Sequence, residues 1–388
     1  MARTDTLGNF LTDVATAIRN KKGTTDTIVA SNFDTEIESI ESGSSGDTSI
    51  EDGLITRTLT EYSNNRVTEV GKYAFYNSTT LQSIDLPNVT NIKDSAFQNC
   101  TSLTSINLPK ATNIGLDAIR QCTSLTSINS PELTNLGSYA FYSCTLLSSI
   151  ILPKLITVGT SSFHNCTSLS SIDLPNVTSI GSSCFYGCTS LSSIDLSNAT
   201  TIDASCFYDC TSLPSIDLPK VTSIGNNSFY NCQSLESVNL PNITTIGTSC
   251  FYSNSKLLSI DLPNITSIPD NTFYNCQSLE SVNLPNVTSI GGSSFRLCVS
   301  LKTLDLPKVT KINGTYTFRD SNLLKTLILR SETICTLSNT DAFLNSSIAK
   351  GTGYIYVPDD LVESYKSATN WSTYANQIKA ISEMEASL

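Results

Sequence analysis

The chain has 388 residues, with 23 Lys and Arg against 34 Asp and Glu, which gives a formal net charge of -11. This acidic balance argues against a nucleic-acid partner, since phosphate binding requires a basic surface. Only 15% of the residues are charged and 39% are hydrophobic, which is typical of a folded chain. The single histidine, His164, argues against many enzyme classes, because a triad, a Cys-His dyad or a His-rich metal site would need it.

The first residues do not match a targeting signal. Residues 1–23 lack the apolar core and the small-residue cleavage site of a signal peptide. No apolar run approaches the roughly 18 residues that span a bilayer, so no membrane insertion is expected. The sequence therefore predicts synthesis in the cytoplasm.

Residues 1–46 are predicted to form a helical attachment segment and a linker, which the sequence SGSSGD at residues 42–47 indicates. Residues 5–20 and 31–40 have apolar residues at helical spacing. In the first helix the predicted attachment face consists of Leu7, Phe10, Leu11, Val14 and Ile18. Two helices this short cannot bury both of their apolar faces against each other, so we expect them to pack on a partner or on copies of themselves in a homo-oligomer.

An internal repeat dominates residues 47–330. Phe recurs at multiples of 22 residues from Phe75 to Phe295, with Ile119 in the one gap, and Leu recurs in the same frame from Leu81 to Leu301. A further unit follows after one extra residue, at Phe318. The period predicts identical units stacked along one axis.

One unit, residues 163–183, shows how the pattern specifies structure. Ile172 and Leu174 are two residues apart and share the inner face of a short strand, and Pro175 ends the strand because it has no N–H to donate. Val177 and Ile180 point inward, and the next segment, up to Phe185, is predicted to form a helical or 3₁₀ turn.

A single unit cannot fold alone. Burying about seven apolar side chains favours folding by roughly 10–20 kcal/mol, and ordering the backbone costs at least as much. Stacked units bury one another's faces. The predicted fold is therefore an α/β solenoid of about 12 turns, with short strands on one face and helical or 3₁₀ turns elsewhere.

This frame resembles the leucine-rich repeats of the bacterial surface-antigen type called BspA-like, over about residues 65–330. The family repeat is often 23 residues long, against 22 here, which affects curvature more than the identity of the fold. The chain is therefore interpreted as a non-enzymatic binding solenoid, and we expect no catalytic residues, metal or cofactor.

Most of the 13 cysteines lie in two columns of the repeat, one three residues after Phe and one just before it. Asn254 fills the gap in the first column. Identical rungs point their thiols the same way and pair poorly as disulfides, and no C-x-x-C knuckle is present to bind zinc. The sequence predicts free, buried thiols and leaves Cys335 unassigned.

Residues 331–388 are predicted to cap the array, because a terminal repeat needs a lid over its exposed face. Tyr354, Ile355 and Val357 indicate a last strand, and Trp371 and Tyr374 belong to the apolar set that follows. The segment resembles the end module of leucine-rich-repeat proteins from low-GC bacteria and their prophages.

Two columns of surface residues are the candidate binding sites. The first lies between Ile and Leu of each strand and includes the candidate stripe Asp173, Asp195, Asp217, Asn239 and Asp261. It suits hydrogen bonding to sugars, a basic protein patch or weakly held Ca²⁺. It is equally consistent with a polar face that keeps the protein soluble.

The second column follows Phe and contains the candidate ligand-binding ridge Tyr186, Tyr208, Tyr230, Tyr252 and Tyr274. Tyrosine offers rigid contact area with a polar tip, which suits glycan or protein contact. Packing from rung to rung explains the same pattern. His164 lies in this column and is interpreted as a surface substitute rather than a catalyst.

Residues 6–40 resemble the N-terminal module of tail-associated proteins in phages of low-GC bacteria. By this resemblance the main prediction is a phage or prophage tail protein that recognises a host cell-surface protein or glycan. Its N-terminal helices would bind a tail component of the virion. The alternative is a BspA-like adhesin on a bacterial surface that binds host matrix proteins or glycans.

Overall fold

A computed structural model of the chain describes residues 49–50 and 59–385, with side chains from residue 59 to residue 384. The chain divides into two compact units, Met1–Ser49 and Ile50–Leu388. The helices predicted at residues 5–20 and 31–40 lie outside the described residues, as does the attachment face on the first of them. In the second unit the chain winds into a solenoid with a period of about 22 residues.

The first row of strands, called the front row, forms at the Ser-Ile-Asp motif of each rung. Alternation directs the isoleucine inward and its two polar neighbours outward. In Ser171–Asp173, for example, Ile172 is buried while both neighbours are exposed. The front strands are Glu61–Ser63, Ser83–Asp85, Ser105–Asn107, Ser127–Asn129, Ser171–Asp173, Ser193–Asp195, Ser215–Asp217, Ser237–Asn239, Ser259–Asp261, Ser281–Asn283, Thr303–Leu306, Thr326–Leu329, Tyr354–Val357 and Ile378–Ala380.

A second row, called the back row, consists of two-residue strands that the sequence analysis did not predict. The predicted inward residues Val177 and Ile180 are both fully buried, and Ile180 belongs to this row. The back strands are Ser49–Ile50, Glu69–Val70, Asn91–Ile92, Asn113–Ile114, Asn135–Leu136, Thr157–Val158, Ser179–Ile180, Thr201–Ile202, Ser223–Ile224, Thr245–Ile246, Ser267–Ile268, Ser289–Ile290, Lys311–Ile312 and Thr336–Leu337.

Both rows pair in parallel, and each residue of the regular array pairs with the residue one repeat later, as Ile172 does with Ile194. Two interruptions have a proline at the break. Pro214 cannot donate the bond that Ser192 N gives to Ser170 O one rung earlier, and the front sheet ends between Ser193–Asp195 and Ser215–Asp217. Pro269, which also has no N–H to donate, directly follows Ser267–Ile268, and the back sheet breaks between Thr245–Ile246 and that strand.

The segment before and after each Phe is a run of turns and not the predicted helical or 3₁₀ turn. Its amides alternate between two kinds of acceptor. Ser183 N and Phe185 N donate to the next rung, whereas Cys184 N and Tyr186 N donate within their own rung. Ser183 has a positive φ of 55°, which a continuous helix does not allow. The turns therefore bind rung to rung as the strands do.

The core is a stack of phenylalanine rings along the solenoid axis. Phe185 and Phe207 are adjacent, with ring centroids 5.5 Å apart and planes 9° from parallel, which confirms the predicted stacking of identical rungs. Each ring is fully buried. An offset stack of this kind contributes about 0.5–1.5 kcal/mol per pair beyond the burial of apolar area.

All 13 cysteines are free and buried, as predicted. In the main column each thiol donates to a carbonyl oxygen of the preceding rung, which belongs to Ile119 for Cys144 and to a Phe for the others, as Cys188 Sγ does to Phe163 O at 3.1 Å. Ser321 occupies the same column and donates to Phe295 O at 2.7 Å. Asn254 is also fully buried here, but neither its Nδ2 nor its Oδ1 has a hydrogen-bond partner.

The solenoid has about 15 rungs rather than the predicted 12. The prediction counted only units that keep the Phe and Leu frame. The strand Glu61–Ser63 precedes that frame, and Tyr354–Val357 and Ile378–Ala380 extend the front sheet into the segment predicted to be a cap. Longer connections hide these last rungs from a search at fixed period. They hold 3₁₀ helices at Thr340–Phe343, Asp359–Leu361 and Trp371–Gln377 and an α-helix at Val362–Ser367. A further α-helix, Ile381–Glu385, follows the final strand.

Cys335 lies where the C-terminal segment closes over the core. Its backbone N–H donates to Tyr365 Oη at 2.7 Å, and its carbonyl oxygen accepts from Trp371 Nε1 at 2.6 Å. Tyr374 packs edge-on against Phe343, with centroids 5.1 Å apart. Aromatic rings thus cover the last phenylalanine of the stack.

We predict that Asn254→Cys stabilises the protein by about 1–3 kcal/mol, because it removes an unpaired buried amide and restores a thiol donor. Urea unfolding under reducing conditions measures the change. The reverse substitution in a neighbouring rung, Cys232→Asn, is the matched control and should destabilise the protein. Equal stability of Asn254→Cys and the parent would contradict the prediction.

We also predict that stability falls as the pH rises above about 9. Burial raises the pKa of Cys144, Cys188 and Cys276 from 9.0 to about 12. The unfolded chain therefore ionises its thiols first, and each thiol contributes a loss of at most about 1.4 kcal/mol per pH unit until its folded pKa is reached. Urea unfolding at pH 7, 9 and 10 measures the slope. A variant with these three cysteines changed to Ser should show a shallower slope.

Candidate functional site

The predicted polar stripe is a straight row on the front strands. Strand register pairs Asp173 with Asp195 and Asp217 with Asn239, and places Asp261 beside the next asparagine of the column. Neighbouring rungs are about 4.8 Å apart, so these side chains lie against one another. The structure thus brings the five predicted residues into one row.

Asparagine amides donate hydrogen bonds to two of the four carboxylates of this stripe. Asn239 Nδ2 donates to Asp217 Oδ1 at 2.7 Å, and Asn283 Nδ2 donates to Asp261 Oδ1 at 2.8 Å. An amide can both donate and accept, so it links carboxylates that would otherwise repel. At the N-terminal end the same bonds join Asn107 to Asp85 and Asn129 to Asn107.

The row of Asp and Asn side chains is interrupted at Ile151, which occupies the same position in its rung and is 75% exposed. Its rung keeps only an isolated bridge, Ser149 to Ser171, in place of a front strand. Asp173, in the following rung, makes no side-chain hydrogen bond within the described part of the chain. Asp195 accepts one bond, from Ser197 N at 2.9 Å. An exposed aliphatic side chain therefore lies one rung from Asp173 and two rungs from Asp195, and neither carboxylate receives an amide from a neighbouring rung.

Ile151 was not among the site residues predicted from the sequence. The signal was available, because every other member of this column from Asp85 to Asp305 is Asp or Asn. What the sequence did not show is which carboxylates have an amide partner. That depends on the direction in which each asparagine donates.

The tyrosine ridge is a ladder of stacked rings. Consecutive rings from Tyr186 to Tyr274 have centroids 4.4 to 4.6 Å apart and planes within 6° of parallel. Their side chains are half-buried. Burial raises the pKa of Tyr208 to about 12, so the phenol is neutral at physiological pH.

This stacking limits what the ridge can bind. Each inner ring has a neighbouring ring on both faces, so no inner face is free for a sugar. Only ring edges and hydroxyl groups face outward. Packing from rung to rung therefore accounts for the column, and a binding role through its edges stays a prediction.

His164 belongs to the same ladder, as expected of a surface substitute. It stacks between Tyr142 and Tyr186, with centroid distances of 4.5 and 4.6 Å. Desolvation lowers its pKa, which favours the neutral ring. Nδ1 has no hydrogen-bond partner, so no carboxylate orients the imidazole as a catalytic triad requires.

The described residues contain no group of three or more His, Cys, Asp or Glu arranged to hold a metal ion. Within the same part of the chain, every helix is too short or too polar to cross a bilayer.

Comparison with protein families gives a match to the BspA-type leucine-rich repeat region at residues 58–157, 134–258 and 244–368. These ranges overlap and together span most of the chain. The chain belongs to the BspA-type leucine-rich repeat family. Its members are typically exposed on the cell surface and are generally non-enzymatic proteins that bind protein or glycan partners.

The chain is similar to several solved structures of bacterial leucine-rich repeat proteins. A protein from Bacteroides ovatus is 25% identical, with a TM-score of 0.63 over 86% of this chain and 94% of the other. A Treponema pallidum leucine-rich repeat protein is 32% identical over 40% of this chain and 78% of its own, with a TM-score of 0.39. A leucine-rich cell-surface protein from Faecalibacterium prausnitzii is 22% identical over 80% of this chain and 86% of its own, also at 0.39. No curated protein matches the chain.

We predict that Tyr230→Ser destabilises the protein by about 2–3 kcal/mol, because it removes two stacked contacts and part of a buried ring. Tyr230→Phe keeps both contacts and should stay within about 0.5 kcal/mol of the parent. Urea unfolding of the two variants measures the difference. A serine variant as stable as the parent would argue against a packing role and in favour of a dedicated ligand surface.

Proposed function

We propose that this protein is a non-enzymatic adhesin on a bacterial surface and that it binds a protein partner through the front row around Ile151. The observation that carries the proposal is the exposed Ile151 beside Asp173 and Asp195. Membership of the BspA-type family supports the surface location and the binding role.

An exposed isoleucine at this point favours association. Burying such a side chain contributes about 1.5–3 kcal/mol, and isolated apolar side chains within polar surfaces act as anchors at interfaces. The repeat would place Asp or Asn at this position, so Ile151 is not needed by the solenoid itself. A partner that covers Ile151 would remove its side chain from water.

The two carboxylates define the kind of partner. Asp173 and Asp195 lie one rung apart without an amide between them, and an incoming Lys or Arg would relieve their repulsion. The partner surface that fits has an apolar contact at its centre and basic residues on one side of it. A matrix or cell-surface protein of the host can supply such a patch.

The prediction of a phage-tail protein receives no support from the comparisons. It depends on residues 6–40, which lie outside the described residues, and the family match begins at residue 58. The adhesin alternative accounts for the matched part of the chain.

The test is binding of the full chain to immobilised fibronectin, laminin and type IV collagen. Ile151→Asn should weaken binding at least 10-fold, because it replaces the apolar anchor with an amide that can hydrogen-bond to the neighbouring Asp and Asn side chains of the polar row. Changing both Asp173 and Asp195 to Asn should weaken binding and flatten its dependence on salt.

The matched control is Ile156→Thr. Ile156 lies in the same rung, is 54% exposed and occupies a column that is otherwise mostly Thr. This variant should bind within 2-fold of the parent. The proposal is wrong if none of the three proteins binds, or if Ile151→Asn and Ile156→Thr have the same effect.

A further inference from the structure

The tyrosine ladder ends in two arginines on consecutive rungs. Arg296 follows Tyr274 in the column, and Arg319 follows Arg296. Leu297 N donates to Arg319 O at 3.0 Å, which fixes these two rungs side by side. Two guanidinium groups are thus held about one rung apart at the end of a row of phenol hydroxyls.

Aromatic rings hold both guanidinium groups in place. Arg296 Cζ lies 5.2 Å from the ring centre of Tyr274 and 5.6 Å from that of Tyr316. Arg319 Cζ lies 4.6 Å from the ring centre of Tyr316. Cation–π contacts of this kind restrict long side chains before a ligand arrives, so less entropy is lost on binding.

The positive charge of this pair is only partly compensated. Asp320 is the one carboxylate within ion-pair distance of either group in the described chain, with Oδ2 3.3 Å from Arg319 Nε and 3.8 Å from Arg296 Nε. Its other oxygen accepts a hydrogen bond from Asn345 Nδ2 at 2.8 Å. One carboxylate between two guanidinium groups leaves a net charge of +1.

The hydrogen-bond donors of the pair are also unused. Neither guanidinium makes a hydrogen bond within the described residues, and Nε of each side chain, although within ion-pair distance of Asp320, is buried without a hydrogen-bond partner. Their side chains are 26% and 27% exposed, so part of each group reaches solvent. A planar fork of free donors matches an oxyanion such as a sulfate or a carboxylate.

We propose that Arg296 and Arg319 form a binding site for the oxyanion of an acidic glycan. The sulfate or carboxylate lies across the two guanidinium groups. The sugar extends along the ladder and receives hydrogen bonds from the tyrosine hydroxyl groups. This site lies in a different column from Ile151, so it can be tested independently of the proposed protein-binding face.

The other end of the ladder provides a matched control. Arg120 also lies over a tyrosine ring, with Cζ 4.8 Å from the centre of Tyr142. Its Nη1, however, pairs with Asp117 Oδ1 at 3.0 Å, and the next ladder position toward the N-terminus is Gln98. It therefore has the same stacking without an uncompensated charge.

The experiment is calorimetric titration of the full chain with a heparin hexasaccharide, with sialyllactose and with neutral maltohexaose. We expect an acidic glycan to bind and the neutral one not to bind. Heparin alone identifies a sulfate ligand, sialyllactose alone identifies a carboxylate ligand, and binding of both identifies a general oxyanion site.

The double variant Arg296→Gln with Arg319→Gln should weaken binding at least 10-fold, while Arg120→Gln stays within 2-fold. Asp320→Asn removes the competing carboxylate and should bind at least 3-fold tighter, a gain that misfolding cannot produce. Three results overturn the proposal: neither acidic glycan binds, maltohexaose binds as tightly, or Asp320→Asn binds no more tightly than the parent.

Discussion

Hydrogen bonding in parallel register between consecutive rungs is the constraint on which the rest of the structure depends. Ile172 pairs with Ile194 in the front row, and Ile180 pairs with Ile202 in the back row. A slip of one residue would place polar side chains in the core, so the register is strongly specified. Each side chain of the regular array is therefore packed against its own counterparts in the rungs before and after it.

A column is stable only if its side chain is compatible with copies of itself. Phenylalanine rings stack, thiols donate to a carbonyl of the preceding rung, and asparagine amides form donor–acceptor chains. Aspartate and arginine fail this test, since like charges about 5 Å apart repel. The pairs Asp173–Asp195 and Arg296–Arg319 break the rule without a full compensating partner among the described residues. Such local conflicts are where binding to another molecule is expected.

Much of this could be predicted from the sequence, because a fixed period converts positions into columns. The adjacency of Phe185 and Phe207, the free thiols and the polar row at Asp173 all followed from the period. The back row could not be predicted in this way, since two-residue strands such as Ser179–Ile180 are too short to show an alternation of apolar and polar residues. Nor could the last rungs, because their spacing departs from 22 residues.

The candidate sites were harder to predict than the fold for a physical reason. The sequence places tyrosines in a ladder but does not show that neighbouring rings occupy each other's faces. Whether the faces are covered depends on the orientation of each ring, and the repeat period does not determine that orientation. The same holds for Asp173, whose lack of a partner depends on the direction in which nearby amides donate.

The C-terminal rungs hold the arginine pair as well as closing the core. A solenoid opens most readily from its ends, because each rung contacts only its neighbours. The rung of Arg319 is joined to the next by Phe318 N, which donates to Ala342 O at 2.7 Å. That rung carries Phe343, which Trp371 and Tyr374 cover. By covering Phe343, Trp371 and Tyr374 help to keep the two guanidinium groups in register. The geometry of the arginine pair therefore depends on residues that contact neither arginine.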